Sequence, residues 1–343
     1  MQTKVINEGP LLSETGSLNE AGYATHLIKT YRRSDIKANR LRVKEWDYYL
    51  VSDGKRAAAF TIADNSYMGM LSASWIDLEK PSQITKSEMT ILPNGGMHLP
   101  ETSEKGDISF TNRKIDIGFY NDGVSRRLHL RYPHFRKDDT FWADIRLSET
   151  PKDSMVIMTP YADDPKAFYY NQKINCLKAA GTVRIGSELY EFKDNAYAVL
   201  DWGRGVWTYS NTWYWSSASG EIDGHRFGFN LGYGFGDTSA ASENMLFYDG
   251  CAHKLEDVTF EIPKKDDGSD DFMSSWSFSS SDGRFEASFT PVIDRASDTN
   301  VLVIRSDQHQ VFGTFTGKAV LNDGKVIIMK DFPGFAEKVR NRW

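Results

Sequence analysis

Four ionisable residues in the second half of the chain sit among neighbours that suit proton transfer: Asp201, Glu243, Asp307 and His309. Asp307 and His309 are two apart in Ser306-Asp-Gln-His-Gln-Val-Phe312. On an extended strand they share a face, so the carboxylate can orient and charge-stabilise the imidazole. A general acid or base needs that arrangement, and it is also a way to satisfy a buried polar pair. Asp201 and Arg204 lie in Leu200-Asp-Trp-Gly-Arg-Gly205, which reads as a glycine-containing bend. They form a structural ion pair holding that bend, or an acid and an anion clamp at a pocket mouth. Glu243-Asn244 precedes the apolar run Met245-Leu-Phe-Tyr248.

Side chains suited to holding a ligand surround these positions. In Arg226-Phe-Gly-Phe-Asn-Leu-Gly-Tyr-Gly-Phe-Gly-Asp237, period two puts Phe227, Phe229, Leu231, Tyr233 and Phe235 on one face. Asn230 shares the other face with Gly228, Gly232, Gly234 and Gly236. Such a face leaves room for a ligand, or for another backbone to pack close. Trp213 and Trp215 share a side within a stretch holding five aromatics between Trp207 and Trp215. Upstream, Tyr169, Asn171, Lys173 and Asn175 alternate along one strand face, lining a cavity or meeting solvent. The candidate acid–base set is therefore Asp201, Glu243, Asp307 and His309. Arg204, Trp213, Trp215, Asn230, Asn244, Asn171 and Lys173 are the candidate binding set. Asp201, Arg204, Asn230, Glu243, Asp307 and His309 are expected to meet around one cavity.

The elements that must position them are strands. Aromatics make up 13% of the 343 residues, which favours half-buried sheet faces. Trp46–Ser52 and Lys55–Ile62 flank Asp53-Gly54 as a hairpin. Further turn signals stand at Asn94-Gly95-Gly96, Asp122-Gly123, Ser219-Gly220, Asp223-Gly224, Asp249-Gly250, Asp282-Gly283 and Asp323-Gly324. Short strands between Asp-Gly turns indicate an all-β chain of two antiparallel barrel or sandwich halves with few short helices. The halves are expected over residues 1–194 and 195–343. Short helical structure is expected near residues 35–42, and the C-terminal stretch from Phe335 reads as a helix or a closing strand.

Several function classes fall away. A net charge of −6 leaves no electrostatic footprint for nucleic acid. Two cysteines, Cys176 and Cys251, cannot build a disulfide framework and read as separate thiols. No pair of the seven histidines has metal-ligand spacing, so no metal and no cofactor are expected. No Walker loop, dinucleotide fingerprint, H-E-x-x-H or Gly-x-Ser-x-Gly occurs. The opening residues carry no apolar core of signal-peptide length and no stretch suits a membrane span, so a cytoplasmic location is expected.

The segments Asp201-Trp-Gly-Arg-Gly205, Trp213-Tyr-Trp215, Phe229–Asp237, Glu243–Phe247, His253-Lys-Leu255, Ser306–Gly313 and Glu337–Trp343 together resemble the bacterial family known as domain of unknown function 2804. The resemblance runs from about Gly9 to the C-terminus; it implies a fold and no established activity. More distantly the layout is similar to two-barrel, lipocalin-like proteins that include carotenoid hydratases and pericyclase-type enzymes. None of their catalytic residues maps onto this chain by motif. Residue chemistry leads to a cofactor-free acid–base enzyme of hydration, isomerisation or elimination acting on a small amphipathic molecule. Asp201 or Glu243 would be the acid and His309 the base. A lipid or isoprenoid carrier or sensor is one alternative, and a carbohydrate-active lyase or hydrolase is another. Either way the partner is a small molecule.

Overall fold

The computed structural model describes residues 2–301 and 304–342. It is the expected all-β, lipocalin-like architecture: two curled antiparallel sheets with two single-turn 3-10 helices, at Arg33–Asp35 and Arg40–Arg42. The first sheet runs Ser82–Ile91, Met68–Asp77, Arg56–Asp64, Val43–Ser52, Tyr197–Val206, Asp164–Ile185, Asp139–Ser148, Arg126–Arg136, Asp116–Asn121, Ile108–Thr111. Its open ends meet through side chains: Lys114 pairs with Glu88, and Tyr132 donates to Glu88 at 3.2 Å. The second sheet runs Cys251–Lys254, Met245–Tyr248, His225–Tyr233, Ser210–Ile222, Val326–Arg342, Ile304–Val320, Phe285–Val301, Trp276–Ser280, Val258–Glu261. The chain leaves the first sheet after Val206 and enters the second at Ser210. The C-terminal stretch is a strand.

The Asp-Gly signals at 53, 122, 223, 249, 282 and 323 all fall between paired antiparallel strands. Ser219-Gly220 does not; it lies inside Ser210–Ile222. Gly220 serves packing there, because a Cβ would stand 2.8 Å from the Phe332 ring. The segment 200–205 is also no bend. It is the middle of a fully buried strand in which Asp201 pairs with Tyr48 on one side and Lys173 on the other.

The two sheets press together along one face of each. From the first sheet come Trp46, Tyr48, Tyr169, Asn171, Lys173, Asn175 and Asp201; from the second, Trp213, Trp215, Ser217, Asn230, Gln310 and Glu337. Asn175 Nδ2 donates to Ser217 Oγ at 2.8 Å and to the Phe229 carbonyl at 3.0 Å, crossing from sheet to sheet. Cys176 follows in a bulge at φ +60°, and its amide donates to Ser219 Oγ at 3.0 Å. The glycine-rich face of His225–Tyr233 is explained by this contact. A Cβ on Gly228 would meet Cys176 Sγ, and one on Gly232 would meet Glu243, each at 2.6 Å. The space is filled by the neighbouring strand and by a carboxylate. The expected solvent-facing alternative for Asn171, Lys173 and Asn175 is corrected: all three are buried. Trp215, Phe235, Phe312 and Phe335 join the main apolar core, while a second, Phe-rich core fills the far side of the second sheet.

Candidate active site

Lys173 is the centre of the polar cluster between the sheets. It is buried, as are Asp201, Glu243, Asn171 and Asn230. Its Nζ lies 2.9 Å from Asp201 Oδ1 and 3.9 Å from Glu243 Oε2. The ammonium also stands over the Trp215 ring, 4.3 Å from its centroid, the aromatic counterpart a desolvated cation favours. Asn171 Nδ2 donates to the same Asp201 oxygen at 2.6 Å. Trp215 Nε1 donates to Asn230 Oδ1 at 2.8 Å, and Asn230 Nδ2 donates to the Glu243 carbonyl at 2.9 Å. Glu243 Oε1 and Asn171 Oδ1 are buried without a hydrogen-bond partner among the described residues. Such atoms are costly to bury, and proton movement or a ligand would satisfy them.

A second carboxyl, the half-buried Glu337, completes the cluster as the cross-strand partner of Trp215. It accepts from Trp213 Nε1 and from Gln310 Nε2, both at 3.1 Å, and Tyr48 OH donates to Gln310 Oε1 at 3.4 Å. Burial pushes both carboxyls up to about 7, outweighing the lowering by Lys173 at Glu243 and by Trp213 and Arg295 at Glu337. Each is poised to hold or release a proton near neutral pH, where a general acid or base works best.

Four of the anticipated residues lie elsewhere. Arg204 is three residues from Asp201 on a continuous strand, so it faces the opposite side. Its guanidinium is fully buried inside the first sheet, 3.0 Å from Asp47 Oδ1 and 2.7 Å from the Pro100 carbonyl. It holds the strand interior together and does not meet the cluster. Asn244 turns away from Glu243, accepting from Gly232 N at 2.8 Å and donating to the Glu256 carbonyl at 3.1 Å.

Asp307 and His309 are neighbours on one face as expected, with Nε2 to Oδ1 at 3.3 Å. The stronger partner is Asp294 on the adjacent strand, 2.6 Å from Nδ1. The ring stacks on Phe272 at 3.8 Å. This pair lines a separate cavity of about 310 Å³ with Asp270, Lys264, Lys338 and Arg340. His309 and Gln310 are adjacent in the strand, so they face opposite sides, and Gln310 is the one at the cluster. Asp201, Glu243, Asn171, Lys173, Asn230, Trp213 and Trp215 thus come together; Arg204, Asn244, Asp307 and His309 do not.

A cavity of about 460 Å³ runs between the sheets beside this cluster, walled by Leu50, Val199, Phe312, Phe332 and Phe335. On five strands a wall residue and a cluster residue are two apart and so share a face. The pairs are Leu50 with Tyr48, Val199 with Asp201, Ser217 with Trp215, Phe312 with Gln310, and Phe335 with Glu337. At the rise of a strand this sets the inner end of the cavity roughly 7 Å from the cluster. Phe335 packs edge-on to Trp215 at 4.7 Å between the two. Glu337, Gln310 and Tyr48 were absent from the sequence-derived set. Their signal was a single polar residue among apolar ones at period two, as in Phe335-Ala-Glu337-Lys-Val339. No group of three or more His, Cys, Asp or Glu among the described residues is placed to hold a metal ion. No described helix is long and apolar enough to cross a membrane.

No curated protein matches the chain. Among solved structures it is similar to a protein described as an AttH from Nitrosomonas europaea. The identity is 12% and the TM-score 0.54, over 92% of this chain and 97% of the other. Kievitone hydratase from Nectria haematococca aligns at 12% identity and a TM-score of 0.48, over 97% of this chain and 98% of that one. CghA with Sch210972 aligns at 9% and 0.46, over 97% of each chain. Likeness at this identity speaks to fold alone. The chain belongs to the family described as Domain of unknown function (DUF2804), which it matches over residues 2–343.

Proposed function

We propose that this member of the DUF2804 family is a cofactor-free acid–base enzyme of the hydration, isomerisation or elimination type, acting on a small amphipathic molecule. One observation carries the reading: a cluster of Lys173, Asp201, Glu243 and Glu337 lies between the sheets roughly 7 Å beyond the inner end of a cavity, on the same strand faces as its wall. Asp201, held by Lys173 and Asn171, is the base. Glu243 or Glu337, with a proton affinity suited to neutral pH, is the acid. Proton transfer from a positioned side chain contributes roughly 10²–10⁴ in rate. The apolar wall of phenylalanines suits a hydrocarbon or aromatic body better than a sugar ring.

A non-catalytic carrier is the second reading, favoured by Phe335 and Trp215 packing between cavity and cluster. Incubating the purified protein and its Glu243→Gln variant with a cell extract, followed by untargeted mass spectrometry, separates the two. Metabolites consumed by the wild type and untouched by the variant support the enzyme. A molecule that is retained but unaltered by both supports the carrier.

A further inference from the structure

The charged residues lining the cavity between the sheets are all acidic: Asp53, Asp194 and Glu221, with no lysine, arginine or histidine among its lining residues. All three stand toward the solvent end of the groove, while Leu50, Val199, Phe312 and Phe335 are buried deeper. None of the three carboxylates is in an ion pair among the described residues. The cations near them are engaged elsewhere. Arg56 pairs with Asp77 at 2.9 Å and Glu79 at 3.0 Å, Lys55 with Glu79 at 3.7 Å, and Lys193 with Glu191 at 3.2 Å. Lys178 Nζ donates to the Asp194 backbone carbonyl and lies 3.2 Å from Tyr197 OH, which donates to Glu221 at 3.2 Å, so it stands beside the mouth but pairs directly with none of the three carboxylates. A mouth with three carboxylates above an apolar floor attracts a cation carrying an apolar tail and repels an anionic one.

We propose that this cavity takes a cationic amphiphile, with its hydrocarbon or aromatic body against Phe312, Phe332 and Phe335 and its ammonium between Asp53, Asp194 and Glu221. The tail then points toward Asp201 and Glu243, so the assignment names the substrate class of the pocket and rests on the reading given above. Acid–base chemistry would fall on the end of the molecule remote from its charge.

Calorimetric titration of the full chain with octylamine, octanol and octanoate at neutral pH and low salt tests this. Octylamine is expected to bind about tenfold more tightly than octanol, and octanoate not at all; high salt should erase the preference. In the triple variant Asp53→Asn, Asp194→Asn, Glu221→Gln the amine should bind no better than the alcohol. The Asp53→Asn amide keeps the oxygen that accepts from Lys55 N and Arg56 N, and its Nδ2 replaces the oxygen that accepts from Tyr190 OH and can donate to that hydroxyl instead. The Glu221→Gln amide keeps an acceptor for Tyr197 OH, and a melt of the triple variant checks that the fold is kept. Equal binding of amine and alcohol, or an unchanged preference in the triple variant, overturns the charge assignment and leaves the acid–base reading standing. Failure of all three chains to bind overturns the pocket itself.

Discussion

Lys173 and Asp201 are cross-strand partners at the centre of the first sheet, and their charged heads meet at 2.9 Å on the face covered by the second sheet. Lys173 is fully buried and Asp201 nearly so, so each charge is tolerable largely because the other is there. Lys173→Met should therefore destabilise the protein by about 3–5 kcal/mol, since it leaves the Asp201 carboxylate buried with Asn171 as its main donor. Adding Asp201→Asn should recover most of that loss. Denaturant melts of the four proteins measure it; a single Lys173→Met that unfolds like the wild type would show that the pair contributes no net coupling.

Glu243 and Glu337 make stability fall as pH rises. Each holds its proton to about 7 when folded, against an ordinary value of 4.5. Between those values the folded state binds the proton and the unfolded chain does not. The contribution is therefore fully present below about 4.5 and lost as pH rises through 7, roughly 3 kcal/mol for each group. Glu243→Gln and Glu337→Gln should match the wild type near pH 4.5 and melt several degrees higher at pH 8. Parallel pH profiles for wild type and variants would contradict the raised values.

For His309 the expected effect is structural. Burial alone would lower its pKa, but the hydrogen bond and charge of Asp294, helped by Asp307, raise it above the ordinary value. The imidazolium between two carboxylates stabilises the fold below the unfolded value near 6.5, and that stability is lost as pH rises through the folded value. His309→Gln should lower the melting midpoint more at pH 6 than at pH 8.5. A variant that melts like wild type at both while losing turnover would return His309 to the chemistry.

Cutting the chain after residue 194 removes Tyr197–Val206 from between Val43–Ser52 and Asp164–Ile185, to both of which it is bonded. Two open strand edges and the apolar sheet face would be exposed. Residues 1–194 expressed alone should aggregate, and co-expression with 195–343 should restore soluble protein. A soluble 1–194 fragment with a cooperative melt would instead establish a domain boundary there.

Alternation and turn chemistry are local properties, and so the sequence alone determined the all-β class, six of the seven Asp-Gly or Ser-Gly turns, and the shared face of Asp307 and His309. It also determined that Asn230 stands alone among glycines. What Gly228 and Gly232 face was decided only by the fold: Cys176 and Glu243, brought from other segments. The same holds for His309. Nothing within its own strand says that Gln310, one residue on, faces the other sheet while the imidazole faces Asp294 and Phe272. Arg204 differs for another reason: two glycines suggest a bend where the strand continues, and odd spacing sends its side chain away from Asp201. Glycine marks both turns and close packing, and only the opposing strand distinguishes them. The meeting of Lys173, Asp201, Glu243 and Glu337 depends on the docking of one sheet on the other, a long-range event with no signature in any single segment.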